Sequence, residues 1–141
     1  MSFTGAVWVR RTTCNQFGYI VHHGGPGGTG PTNSEFHFGW RSTNYFTCAF
    51  FSNDLNVDQS STACSSDLNR WIFMACSFQT GGSRVIYKNG FSIASDTPAN
   101  YIGPSTLASV SVVGALMSLR LIPRVTLSAS PLAIGYYSNT V

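Results

Sequence analysis

Residues 71–97, WIFMACSFQTGGSRVIYKNGFSIASDT, decide the fold. They hold three short runs rich in aromatic and aliphatic residues, Trp71 to Phe78, Arg84 to Lys88 and Phe91 to Ser95, separated by residues that favour turns. Asn89-Gly90 is the strongest local signal in the chain. Both central positions of a type I′ turn need φ above zero, which Asn and Gly tolerate best. The spacing therefore predicts a hairpin of Arg84–Lys88 with Phe91–Ser95. The Gln79–Ser83 turn brings it back against the strand that begins at Trp71.

The pattern continues outward in both directions. Residues 35–52, EFHFGWRSTNYFTCAFFS, predict a second hairpin. Phe36, Phe38 and Trp40 alternate onto one face, with His37 and Arg41 on the other. Ser42-Thr43-Asn44 turns the chain, and Tyr45 to Ser52 returns. Upstream, Phe3 to Arg10 and Phe17 to His22 read as strands. Gly24 to Thr32, with five glycines and two prolines, reads as a loop. Residues 53–70 read as a long polar crossing loop and residues 96–105 as another. Leu107 to Val113 and Leu116 to Ile122 read as apolar strands central in a sheet, and the region from Thr126 as a cap. Helical signals and internal repeats are nearly absent. Many short strands without helices predict a sandwich or barrel. The core is expected at Val7, Val9, Phe36, Phe38, Phe50, Met74, Phe78, Ile86 and Val112.

The 141 residues suit one domain, 1–141, around one core. Charged residues are 9% of the chain, against about 25% in an ordinary soluble domain. Ser, Thr, Asn and Gly must therefore supply the polar surface. The net charge of +3 is scattered, with no basic run beyond Arg10-Arg11, so nucleic acid is not an expected partner. The longest apolar-rich stretch, 107–122, contains Ser109, Ser111, Ser118 and Arg120. It falls short of the ~20 apolar residues of a membrane span. No signal peptide is legible, so secretion would need an export signal outside this sequence.

Chemistry-bearing residues are sparse. The carboxylates are Glu35, Asp54, Asp58, Asp67 and Asp96. Glu35 opens a strand beside the glycine-rich loop, where exposure is expected. No G-x-S-x-G elbow occurs. His22 and His23 point to opposite faces of a strand and do not converge on one metal. With His37, they read as packed or surface histidines. Cys14, Cys48, Cys64 and Cys76 form no C-x-x-C pair, which argues against zinc and thioredoxin-type sites. An even count in a low-charge β chain favours disulfides and an oxidising compartment over buried thiols. The expected location is extracellular or at the cell surface.

Four stretches, in order, resemble one family. FTGAVWVRRTT (3–13) is similar to its first well-marked strand, and FHFGWRSTNYFTCAFFSNDL (36–55) to its central hairpin and the acidic turn after it. Residues 71–97 resemble its W-H-H-V-A-V…Y-V-N-G unit, and SLRLIPRVTLSAS (118–130) its closing strand. The chain thus resembles a divergent member of the laminin G-like, concanavalin A-like lectin/glucanase superfamily. That resemblance implies an all-β, two-sheet antiparallel jelly-roll sandwich. It implies a non-catalytic extracellular module for recognition or adhesion, binding glycans or glycoproteins. Two alternatives stay open: a structural subunit of an extracellular or surface fibre, and a degenerate glycoside hydrolase. The hydrolase is disfavoured, because the E-x-D-x-E strand of glucanase relatives is missing and such chemistry needs two carboxylates ~5–9.5 Å apart. The strand that usually precedes the first marked one is also missing. An open sheet edge could then recruit a strand from another chain.

The family pattern also orders the cysteines. Cys48 and Cys76 stand at positions that are core in relatives, on strands expected to be sheet neighbours. Cys14 and Cys64 lie in or beside loops. The preferred pairing is Cys48–Cys76 with Cys14–Cys64, out of three connectivities. For ligand recognition, Arg41, Asn44 and Tyr45 bracket one hairpin tip, and Asn100 and Tyr101 lie in another loop. Sugars stack on aromatic rings and hydrogen-bond amide and charged groups. Asn53, Asp54 and Asp58 supply clustered oxygens for a calcium ion, as many relatives do near such loops. The alternative for these three is an Asx turn that breaks the chain.

Overall fold

The computed structural model describes residues 2–15, 17–24, 31–41, 45–57, 61–102 and 109–111. Its elements are β1 (Phe3–Arg10), β2 (Gly18–Gly24), β3 (Phe36–Trp40), β4 (Phe46–Phe50), β5 (Asn53–Val57), α1 (Ser61–Asp67), β6 (Trp71–Phe78), β7 (Arg84–Lys88), β8 (Phe91–Asp96) and β9 (Ser109–Ser111). They form a four-stranded sheet in the order β1-β6-β7-β8 and a five-stranded sheet in the order β5-β4-β3-β2-β9. Every strand pair in both sheets is antiparallel. This is the two-sheet sandwich that the family resemblance implies, and one of the two architectures that the alternation allows.

Both expected hairpins form, and the Asn89-Gly90 one turns as its residues dictate. Asn89 and Gly90 have φ of 50° and 88°, and β7 pairs with β8 from Lys88↔Phe91 outward. The Asn89 side chain adds a tie to the next strand. Its Oδ1 accepts from the Phe73 backbone N–H at 2.9 Å. In the other hairpin Trp40 opposes Phe46, Phe38 opposes Cys48 and Phe36 opposes Phe50.

The core lies between the sheets. Phe36, Phe38, Phe46 and Phe50 from the five-stranded sheet meet Val7, Val9, Met74, Phe78 and Ile86 from the other. Val7, Val9, Phe36, Phe38, Phe50, Met74, Phe78 and Ile86 are all buried; Val112 lies outside the described residues. Edge-on ring contacts such as Phe50–Phe78, with centroids 4.8 Å apart, join the sheets. Each fully buried side chain of this kind contributes roughly 1.5–3 kcal/mol of transfer free energy.

Three expectations are corrected. The 53–70 loop holds β5 and α1 instead. β5 is polar because its side chains find arginine partners, and α1 is short, poor in helix formers and held by tertiary ties. Cys64 is in a disulfide and Asp67 pairs with Lys88. Second, the segment expected to be central contributes β9, which pairs with β2 and ends the sheet among the described residues. Residues 116–122 lie outside the described residues. Third, the strands of Cys48 and Cys76 are not sheet neighbours. β4 and β6 belong to opposite sheets, and the bond crosses the core between Cα atoms 6.3 Å apart. Cys14 joins Cys64 with Cα atoms 6.0 Å apart. Both spans fit disulfide geometry.

Candidate functional site

The pairing of β2 with β3 builds the polar centre of the molecule. Val21 opposes Phe38, His22 opposes His37 and His23 opposes Phe36, after a register shift between Tyr19 and Val21. Phe36, Phe38 and Trp40 take the core face of β3, so period two turns Glu35 and His37 to the other face. His22, directly opposite His37, joins them.

The three side chains converge. His37 Nε2 lies 3.2 Å and His22 Nε2 3.6 Å from the same Glu35 oxygen, Oε2. The Glu35 side chain is 1% exposed, that of His37 9% and that of His22 20%. Glu35 fits because residue 24 is glycine. A Cβ there would sit 2.5 Å from Glu35 Cγ. The imidazoles are stacked 4.8 Å apart, and the Tyr19 ring stacks on His37 at 4.7 Å. Burial, then the neighbouring His22, hold His37 below the ordinary imidazole range against the opposing pull of Glu35. Burial holds the Tyr19 phenol above its usual range, opposed by Arg41, which hydrogen-bonds it.

Arg41 extends this face toward β5. It pairs with Asp54 at 2.6 Å, and its backbone N–H donates to the Tyr45 carbonyl at 2.8 Å, closing the hairpin. Tyr19, His22, Glu35, His37, Arg41 and Asp54 thus form one continuous polar and aromatic cluster.

The sequence candidates fare unevenly. Arg41 joins the cluster, and Tyr45 is exposed beside it. Asn44 lies outside the described residues. Tyr101 is not a surface ligand residue. It is 6% exposed, packs on Phe50 with centroids 5.0 Å apart, and its Oη lies 2.8 Å from His23 Nδ1. Burial, then Glu35, push its phenol above the ordinary range, so the hydroxyl keeps its proton. Asn100 Oδ1 accepts from the Gly81 N–H at 2.8 Å. Two of the three calcium candidates are described. Asn53 and Asp54 are successive residues of β5 and take opposite faces. Asn53 Oδ1 accepts from Arg84 at 3.2 Å, whereas Asp54 pairs with Arg41. Asp58 lies outside the described residues.

The expectation of an exposed Glu35 is corrected: it is among the most buried side chains. Its grouping with the histidines was missed because His22 was weighed against its chain neighbour, His23. The signal lay in the strands themselves. Antiparallel pairing of 17–22 with 35–41 places His22 against His37 once Val21 opposes Phe38.

A family model described as the concanavalin A-like lectin/glucanases superfamily matches residues 1–125. No curated protein and no solved structure gives a significant match. Among the described residues, no helix is long and apolar enough to cross a membrane.

Proposed function

The chain belongs to the concanavalin A-like lectin/glucanases superfamily, and we propose that it is an extracellular recognition module that binds glycans or glycoproteins without turning them over. The superfamily fits a module that recognises carbohydrate or protein. One observation carries the finer reading: the Tyr19–His37–His22 stack flanked by Glu35 and the Arg41–Asp54 pair. Sugars offer apolar ring faces for stacking and hydroxyls that bond to charged groups. Two carboxylates lie on this face, and each is engaged, Asp54 by Arg41 and Glu35 by two histidines. That supports binding over acid–base chemistry. The two disulfides suit an oxidising compartment.

A glycan array tests the reading. The native chain is expected to retain a defined set of glycans, and Tyr19→Ala and Arg41→Ala to lose them while melting as native. Release of shortened sugars from bound glycans would establish the hydrolase instead. No retained glycan or glycoprotein, together with regular polymers in electron micrographs, would establish a structural subunit.

A further inference from the structure

We infer that His22, Glu35 and His37 form a binding site for a divalent transition-metal ion, zinc being the best fit. Each residue offers one ligand atom, and the three atoms all lie within 4.8 Å of one another. A tetrahedral zinc ion with bonds of about 2.0–2.1 Å holds its ligand atoms roughly 3.3–3.4 Å apart. The two separations from Glu35 Oε2, 3.2 and 3.6 Å, bracket that edge. Small rotations of His22, the most exposed of the three, would complete the triangle.

The donor set selects the ion. Two imidazoles and one carboxylate suit zinc and its first-row neighbours, whereas calcium and magnesium prefer oxygen alone. All four cysteines are in disulfides, so thiolate cannot compete. Three protein ligands leave a fourth position for water or an incoming oxygen ligand.

The surroundings are those of a prepared site. Glu35 is almost fully buried in space that Gly24 leaves open. The His37 ring packs against both Tyr19 and His22, with centroids 4.7 and 4.8 Å away, and its buried Nδ1 has no hydrogen-bond partner. Both histidines come from paired strands rather than loops, so the backbone fixes their separation. The inference is independent of the glycan reading, since metal binding is measured without any sugar.

The test uses the full chain after dialysis against a chelator. Cobalt(II) is expected to bind at one equivalent with the intense visible bands of four-coordinate cobalt. Zinc should displace it and raise the melting temperature, because a ligand specific to the native state stabilises it. Glu35→Gln and His22→Ala should each lower zinc affinity by more than about 100-fold, beyond the effect of losing an outer-shell partner. His23→Ala, whose ring faces Tyr101, should not. Long-range nitrogen spectra of the native chain cover the case in which variants fail to fold. Zinc must shift the Nε2 signals of His22 and His37 and leave His23 in place. The inference is overturned if cobalt gives no visible band and zinc no stabilisation. It is equally overturned if affinity survives both ligand substitutions, or if the shifted signals are not those of His22 and His37.

Discussion

Arg84 is fully buried, and its burial shows what a single residue can conceal from a reader of sequence. It opens β7 just after a turn, where an arginine is expected in solvent. Instead its Nε donates to Asp96 Oδ1 at 3.0 Å and its NH1 to the Asn53 carbonyl at 2.9 Å. The guanidinium also lies 4.7 Å from the Phe50 ring centroid. A planar fork can meet all these partners at once, and an ammonium cannot. Arg84→Ala should cost about 3–5 kcal/mol in urea titrations, because it strands Asp96 and Asn53 and opens a cavity. Arg84→Met, which refills the volume, should cost clearly less. Equal losses would show that the polar contacts, not the filled volume, set the position. Glu35 was misjudged for the same reason. Its chain neighbours suggest solvent, and its burial is decided by Gly24 across the ladder. Gly24→Ala should therefore destabilise by roughly 1–3 kcal/mol through overpacking. Adding Glu35→Ala should recover part of that loss, and strictly additive losses would reject the contact.

At the scale of elements, local chemistry specified what it could reach. The Asn89-Gly90 hairpin was legible because φ above zero at two successive positions is a local demand, and both positions meet it. Asn89→Ala should lose about 1–2 kcal/mol from the left-handed backbone, and ~1 kcal/mol more from the hydrogen bond to Phe73. Asn89→Gly should lose only the second part. Denaturant midpoints of the two variants separate the contributions, and identical midpoints would contradict the assignment. β5 and α1 were illegible on the same grounds. Asn53, Asp54 and Asp67 look like loop residues until the arginines and lysine that satisfy them are in view, and those partners come from other elements. The grouping of His22, Glu35 and His37 was half legible. The strands were identified, but their mutual register is not a local property.

At the scale of the molecule, the two-layer architecture followed from the family resemblance, since alternation alone allowed a sandwich or a barrel. The assignment of each strand to a sheet did not. β4 and β6 are close in space and both apolar, and nothing in either distinguishes a neighbour beside it from one across the core. The cysteine pairing is compatible with both arrangements. Removing the cross-core bond with Cys48→Ala and Cys76→Ala should lower stability by about 2–4 kcal/mol. A change below ~0.5 kcal/mol would mean that the sheets need no covalent tie.

The two disulfides interleave along the chain, since Cys48 lies between Cys14 and Cys64, and Cys64 lies between Cys48 and Cys76. This has a mechanical consequence. A pull applied outside these cysteines passes through the Cys14–Cys64 bond and then along the short segment from Cys64 to Cys76. β2, β3, β4 and β5 all lie in slack branches of that network and carry no load. The polar cluster of Tyr19, His22, Glu35 and His37 is therefore shielded from tension even when β7 and β8 are torn away. Breaking the bonds should release a further separation of 50 residues, roughly 170 Å at the extended length per residue. Single-molecule force spectroscopy with and without reductant should show that step. The same geometry would keep that cluster intact while the rest of the sandwich is stretched.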